Sequence, residues 1–166
     1  EVNGTAVQNY AGTYPGAVDG ELWYNSTATT FQFQHGATAA AWSTGGNLNT
    51  ARSNLTGLGI QTAALAVGSI NPSTPVTALT ELYNGTNWTE VNDLTSGRGR
   101  AAGCGTTTAG LFFGGTPPRA GLTETWNGTN WTEVNDMGNA RYGLTGMGTQ
   151  TAALGVSGYA PPGGQK

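Results

Sequence analysis

Apolar positions along this 166-residue chain fall in short runs, separated by Gly, Asn and Pro. That is the punctuation of strands and turns. In the middle of the chain, residues 55–60 predict a first strand, softened by Gly57 and Gly59. Residues 62–67 predict a second, small and apolar. Residues 78–84 predict a third, alternating imperfectly through Leu79, Glu81, Leu82 and Tyr83, and residues 88–91 predict a fourth. Asn84-Gly85 and Asn127-Gly128 are hairpin signals, because a type I′ turn needs positive φ at both central residues. Tyr83/Trp88 and Trp126/Trp131 then lie on adjacent strands, in reach of cross-strand contact. The Pro-containing segments 69–77 and 116–122 are expected to be loops.

The four-strand pattern repeats. Residues 80–93 recur almost unchanged as 123–136, and Gln61-Thr62-Ala63-Ala64-Leu65 recurs verbatim at 150–154. Arg52, Arg98 and Arg141 each stand ten residues before a Thr. The spacing between copies is 43 to 46 residues, a period that marks repeat architectures. Trp42 stands 46 residues before Trp88, and Tyr24-Asn25-Ser26-Thr27 takes the place of Tyr83-Asn84-Gly85-Thr86. A degenerate first copy with an insertion near 28–40 is therefore expected. The organisation reads as an N-terminal β segment over 1–41, repeats over 42–159, and a Pro/Gly-rich tail over 160–166.

Composition narrows the function. Six Lys and Arg stand against nine Asp and Glu, a net charge of −3. Nucleic-acid binding needs a basic footprint that this chain lacks. No apolar run approaches the roughly 18 residues of a membrane-spanning helix. Neither nucleic acid nor membrane insertion is expected. Cys104 is the single cysteine, which excludes a disulfide scaffold. It aligns with Leu58 and Met147 of the other copies and reads as a small core residue. His35 has no second ligand near it. No cofactor or metal site is expected.

Two repeated acid pairs, Glu81/Glu124 and Glu90/Glu133, have the residue type of a glycosidase. Glycosidase chemistry needs two carboxyl groups in unlike environments, and repetition makes environments alike. A structural role is the expectation. The periodic arginines are expected to stack on a repeated Trp or to pair with a repeated acid such as Asp93 or Asp136. Trp23, Tyr142 and Tyr159 are the candidates for stacking on sugar rings. Seven Asn-X-Thr sequons follow from a composition rich in Asn, Gly and Thr.

An apolar strand closing on Gly114-Gly115, a variable loop, a strand ending in Trp126 and a Trp five residues on at Trp131 together resemble the kelch repeat. The resemblance spans about residues 42–159. It implies an all-β fold of four-stranded antiparallel blades. Two clear repeats and a degenerate one are too few to close a ring of at least four blades. A partial β-propeller, or an open or oligomeric repeat assembly, is expected. The 20–27 segment followed by Phe31-Gln32-Phe33, and the Asn-Gly-Thr-Asn-Trp cassette, look like motifs of tail-fibre and other virion proteins of marine bacteriophages. That resemblance implies a non-enzymatic virion structural protein. A tail fibre or appendage comes first, and a capsid decoration protein or a secreted carbohydrate-binding propeller fragment are the alternatives. Its partners would be other copies of itself, other virion proteins and host surface glycans.

Overall fold

The computed structural model describes residues 8–11, 22–33, 44–71 and 74–160. All regular structure in them is β-strand. The contacts divide the chain into two units, Glu1–Ser43 and Thr44–Lys166.

The first unit is a three-stranded sheet of β1 (Gln8–Tyr10), β2 (Leu22–Asn25) and β3 (Thr30–Phe33), in the order β1-β2-β3. The pair β2–β3 is an antiparallel hairpin, and Tyr24 stands opposite Phe31. Asn25 Oδ1 closes the turn by accepting the N–H groups of Thr27 and Ala28, both at 3.0 Å. The sheet departs from the expected four-stranded copy, because β1 lies parallel to β2. The chain before residue 22 is broken by Gly and Pro. It offers no apolar run like 62–67 to serve as a second strand. Part of the expected insertion is strand β3. His35, Trp42 and the tail 161–166 lie outside the described residues.

The second unit contains two four-stranded antiparallel sheets and a two-stranded one. The first blade is β4 (Thr56–Ile60), β5 (Ala63–Asn71), β6 (Thr74–Tyr83) and β7 (Trp88–Val91). The second is β8 (Ala102–Gly105), β9 (Gly110–Phe113), β10 (Thr123–Trp126) and β11 (Trp131–Val134). A half-blade follows, β12 (Thr145–Gly148) paired with β13 (Ala153–Val156). Each blade runs in sequence order from first strand to fourth.

Local chemistry explains the hairpins. Tyr83 stands opposite Trp88, and Trp126 opposite Trp131. Four residues therefore link the strands, not the two of a type I′ turn. Gly85 and Gly128 take φ of +94° each, while Asn84 and Asn127 keep negative φ. Their side chains do the closing. Asn84 Oδ1 accepts from the N–H of Thr86 and Asn87, and Asn127 Oδ1 from Thr129 and Asn130, all within 3.0 Å. A short acceptor side chain mimics a turn of backbone here.

The segment 69–77, expected as a loop, is largely strand. Ser69 pairs with Thr77 and Asn71 with Thr74, with register irregularities on either side of Ser69. Thr, Val and Ser tolerate the pleat, and the bulges absorb the odd residues. After β9 the chain turns through Gly114 and Gly115, at φ +73° and +111°. A Cβ on Gly114 would sit 2.7 Å from the Arg141 carbonyl oxygen. Gly68 and Ser157 hold the matching positions in the neighbouring copies, at φ +63° and +64°.

Blades stack through their first strands, with β8 packed between β4 and β12. A Cβ on Gly103 would touch Thr56 and Leu58 of the first blade, and one on Gly146 would strike the Gly103 backbone at 2.7 Å. Gly57, at the same place in the first blade, has open space beside it. Between the two full blades lies the main core, formed by Leu58, Leu65, Val67, Leu94, Ala101, Phe112, Trp126 and Trp131. Burial of each large side chain there stabilises by roughly 1.5–3 kcal/mol. A smaller cluster of Ala102, Cys104, Phe113 and Leu144 joins the second blade to the half-blade.

Candidate functional site

The repeated arginines stand just before the first strand of each blade. Arg52 pairs with Glu81, and Arg98 with Glu124 at 2.5 Å. All four side chains are at most 2% exposed. The acids that meet them are thus Glu81 and Glu124 from the third strands, not Asp93 or Asp136. Asp93 Oδ1 instead accepts the Thr80 N–H. Arg98 also donates from Nε to the Gly114 carbonyl and from Nη1 to the Ser96 carbonyl. Its guanidinium lies 4.7 Å from the centre of the Phe112 ring. The stacking partner is therefore Phe112 and not a Trp. Arg141, the third in the series, meets no carboxylate among the described residues; its Nη1 donates to the Ser157 carbonyl, and its buried Nε has no hydrogen-bond partner among them.

These carboxylates are fastened rather than poised. Burial pushes Glu81 up, but the N–H groups of Asn49 and Thr50 and the Arg52 guanidinium more than offset it, and its value lies below the ordinary carboxylate range. The sign of its pH effect follows. A carboxyl whose folded value lies below its unfolded value stabilises the fold above the unfolded value, about 4.3 for Glu. That stability is lost as pH falls through the folded value. Thermal melts from pH 7 down to 2 should hold nearly level to about pH 5 and then fall. In Glu81→Gln the part of that fall due to this residue should be missing. An identical acid profile in the variant would contradict the assignment. Glu90 and Glu133 stand opposite Glu81 and Glu124 in register but are exposed.

Cys104 is buried and directs its sulfur at the Thr149 carbonyl, 3.6 Å away. Burial pushes its thiol up, so it stays protonated at neutral pH and packs as a small apolar group. No cluster of three His, Cys, Asp or Glu side chains able to hold a metal ion occurs among the described residues.

The aromatic residues sort by environment. Trp126 and Trp131 are buried with ring centres 5.2 Å apart, and Tyr83 and Trp88 lie 4.9 Å apart, half-buried. Trp126 donates to the Thr107 carbonyl and Trp131 to Thr80 Oγ1. Tyr142 and Tyr159 form an isolated bridge and a ring pair at 5.2 Å, with Tyr159 largely exposed. Trp23 lies on β2 in the first unit, and its side chain lies outside the described set. The three candidate sugar-stacking residues therefore do not form one described site.

Two features went unmarked in the sequence. One is a cleft of about 350 Å³ between the second blade and the half-blade, lined by Leu111, Phe113, Thr123, Met137, Arg141 and Ala153 among others. The other is an apolar outer face on the half-blade. Met147, Leu154 and Val156 are 48%, 56% and 42% exposed there, and the register puts them on one side of the sheet. The signal for the cleft was the exchange of Phe112 for Gly155 at matching positions.

No family model and no curated protein matches this chain. Among solved structures it is similar to the structure of YjhT, with a TM-score of 0.56 at 9% identity. The match covers 86% of this chain and 46% of that one, so the chain spans about half the length of its structural neighbour. Together with the two four-stranded antiparallel sheets, this likeness places the chain among all-β folds with a blade-like, partial-propeller arrangement.

Proposed function

We propose that this chain is a non-enzymatic structural protein of a bacteriophage particle, an appendage or tail-fibre component that assembles through the open faces of its blades. The carrying observation is the apolar face of Met147, Leu154 and Val156 on the two-stranded sheet of β12 and β13. A sheet face of that kind gains by being covered. Two further features support a non-catalytic role: the repeated acids Glu81 and Glu124 are consumed by ion pairs, and the thiol is buried. The cassette resemblance supports the particle setting. Tyr159, exposed beside Tyr142, supports glycan contact as the accompanying role.

The test is location. Purified particles of the phage encoding this chain are labelled with gold-conjugated antibody and their proteins quantified by mass spectrometry. Label at the tail in tens of copies is the expected result. Label over the whole capsid in hundreds of copies would replace the fibre with a decoration protein. Absence from particles would overturn the proposal.

A further inference from the structure

One backbone position recurs in the left-handed region in successive copies of the repeat. Asn54, Arg100 and Gly143 take φ of +52°, +51° and +67°. They form a ladder: the Arg100 N–H donates to the Asn54 carbonyl at 2.9 Å, and the Gly143 N–H to the Arg100 carbonyl at 2.7 Å. Asn and Gly enter this region most readily, and a long side chain there carries a steric cost. Asn54 also uses its side chain locally, since Nδ2 donates to the Ile70 carbonyl at 2.8 Å. Arg100 has no such use. Its side chain is exposed and makes no hydrogen bond or ion pair among the described residues. A strained residue whose side chain does nothing for the fold points to use by a ligand.

A second free cation stands beside it. Gly99 and Thr116 exchange both N–H···O bonds at 3.0 Å, which sets Arg100 across from Gly115. The turn that follows folds back, with the Ala120 N–H on the Gly115 carbonyl at 2.9 Å. Arg119, the residue before Ala120, is returned to the same place, exposed and likewise unpaired among the described residues. One repeat on, at the level of the Gly99–Thr116 bridge, is the bridge of Tyr142 and Tyr159. Their rings lie 5.2 Å apart, and Tyr159 is 57% exposed. Two guanidinium groups and an exposed ring pair thus share the end of the sheets where the first strands begin. The exposed carboxylates at that end, Asp93 and Asp136, follow the fourth strands, about 14 Å across each sheet from the first.

We infer that Arg100 and Arg119 form a binding site for a sulfate or phosphate ester on a saccharide, with the Tyr159 ring against the sugar. A planar carboxylate is satisfied by one guanidinium fork. A tetrahedral ester offers three oxygens in different directions, and so engages two arginines arriving from separate segments. The exposed tyrosine supplies a flat apolar surface with a polar tip, suited to a ring bearing hydroxyls. This deepens the glycan-contact role proposed above by giving its chemistry. It stands on binding, whereas that reading stands on location in particles, so either can fail alone.

Isothermal titration calorimetry on the full chain tests it, with dextran sulfate, dextran phosphate, polygalacturonate and unmodified dextran as probes. The sulfate, the phosphate or both should bind, which names the ester, and dextran should not. Arg100→Gly and Arg119→Ser should each weaken that binding about tenfold, the worth of a charge-assisted hydrogen bond. Tyr159→Ser should weaken it about fivefold. Lys166→Gln removes one charge from the tail and should change it less than about twofold in physiological salt, where distant charges are screened. Arg100→Gly should also hold or raise the Tm, because glycine adopts the left-handed backbone freely. A fall of more than about 4 °C would make the side chain structural and overturn the site. So would equal losses in Arg100→Gly and Lys166→Gln, polygalacturonate binding as tightly as the esters, or a wild type that binds neither ester.

Discussion

Arg98→Ala should lower the unfolding free energy by about 3–5 kcal/mol, the largest loss expected from any single charge removal in the chain. Removing one partner of a buried ion pair leaves the other charge desolvated and alone, and that isolation sets the size of the effect. Glu124 is 1% exposed, and among the described contacts its second hydrogen bond is the Thr95 N–H. The carbonyls of Gly114 and Ser96 would lose their donor as well. Replacing both members by apolar residues, as in Arg98→Met with Glu124→Leu, should recover much of the loss, because no buried charge remains. Urea titration followed by tryptophan fluorescence gives both values. Arg119→Ala on the exposed turn is the control and should stay within about 0.5 kcal/mol of wild type. A loss below about 1 kcal/mol for Arg98→Ala would mean that water reaches the pair.

Trp131→Ala comes next, at about 3–5 kcal/mol for a buried aromatic removed from a packed core. It empties the space between the two full blades and strips Thr80 Oγ1 of its donor. Trp131→Phe keeps most of the contact and should cost about 1 kcal/mol more than repacking alone, for the lost hydrogen bond. The informative comparison is Trp88→Ala. Trp88 stands in the same cassette with the same neighbours, yet it is half-buried and its indole meets the Gly46 carbonyl. Its loss should be about half that of Trp131. Equal losses would show that the cassette stabilises within its own blade and not between blades.

That comparison shows what could be read from residues alone. The period, the four strands and the aromatic pairs are local features, and short runs with Asn-Gly turns encode them directly. The turn type was not legible, because Asn-Gly serves a two-residue loop and a four-residue loop equally well. Only the register tells them apart. The arginine's partner was not legible either. Arg98 and Glu124 are 26 residues apart, and their meeting depends on how the third strand of one blade faces the turn entering it. In the first unit, Tyr24-Asn25-Ser26-Thr27 does encode a hairpin of the repeat type. The parallel strand β1 was hidden, because a three-residue strand carries no period to detect. The cleft came from a pairwise difference between copies, Phe112 against Gly155, whose meaning appears only once the blades are side by side.

The glycine series Gly57, Gly103 and Gly146 carries a last consequence. Gly103 and Gly146 each let the preceding first strand come within touching distance, while Gly57 has open space beside it, so the stacking of blades has a direction. A whole period gained or lost by recombination between near-identical cassettes would therefore leave the contact between neighbouring first strands as it is. Such an array can change length in steps of one blade over evolutionary time while keeping the same stacking from blade to blade.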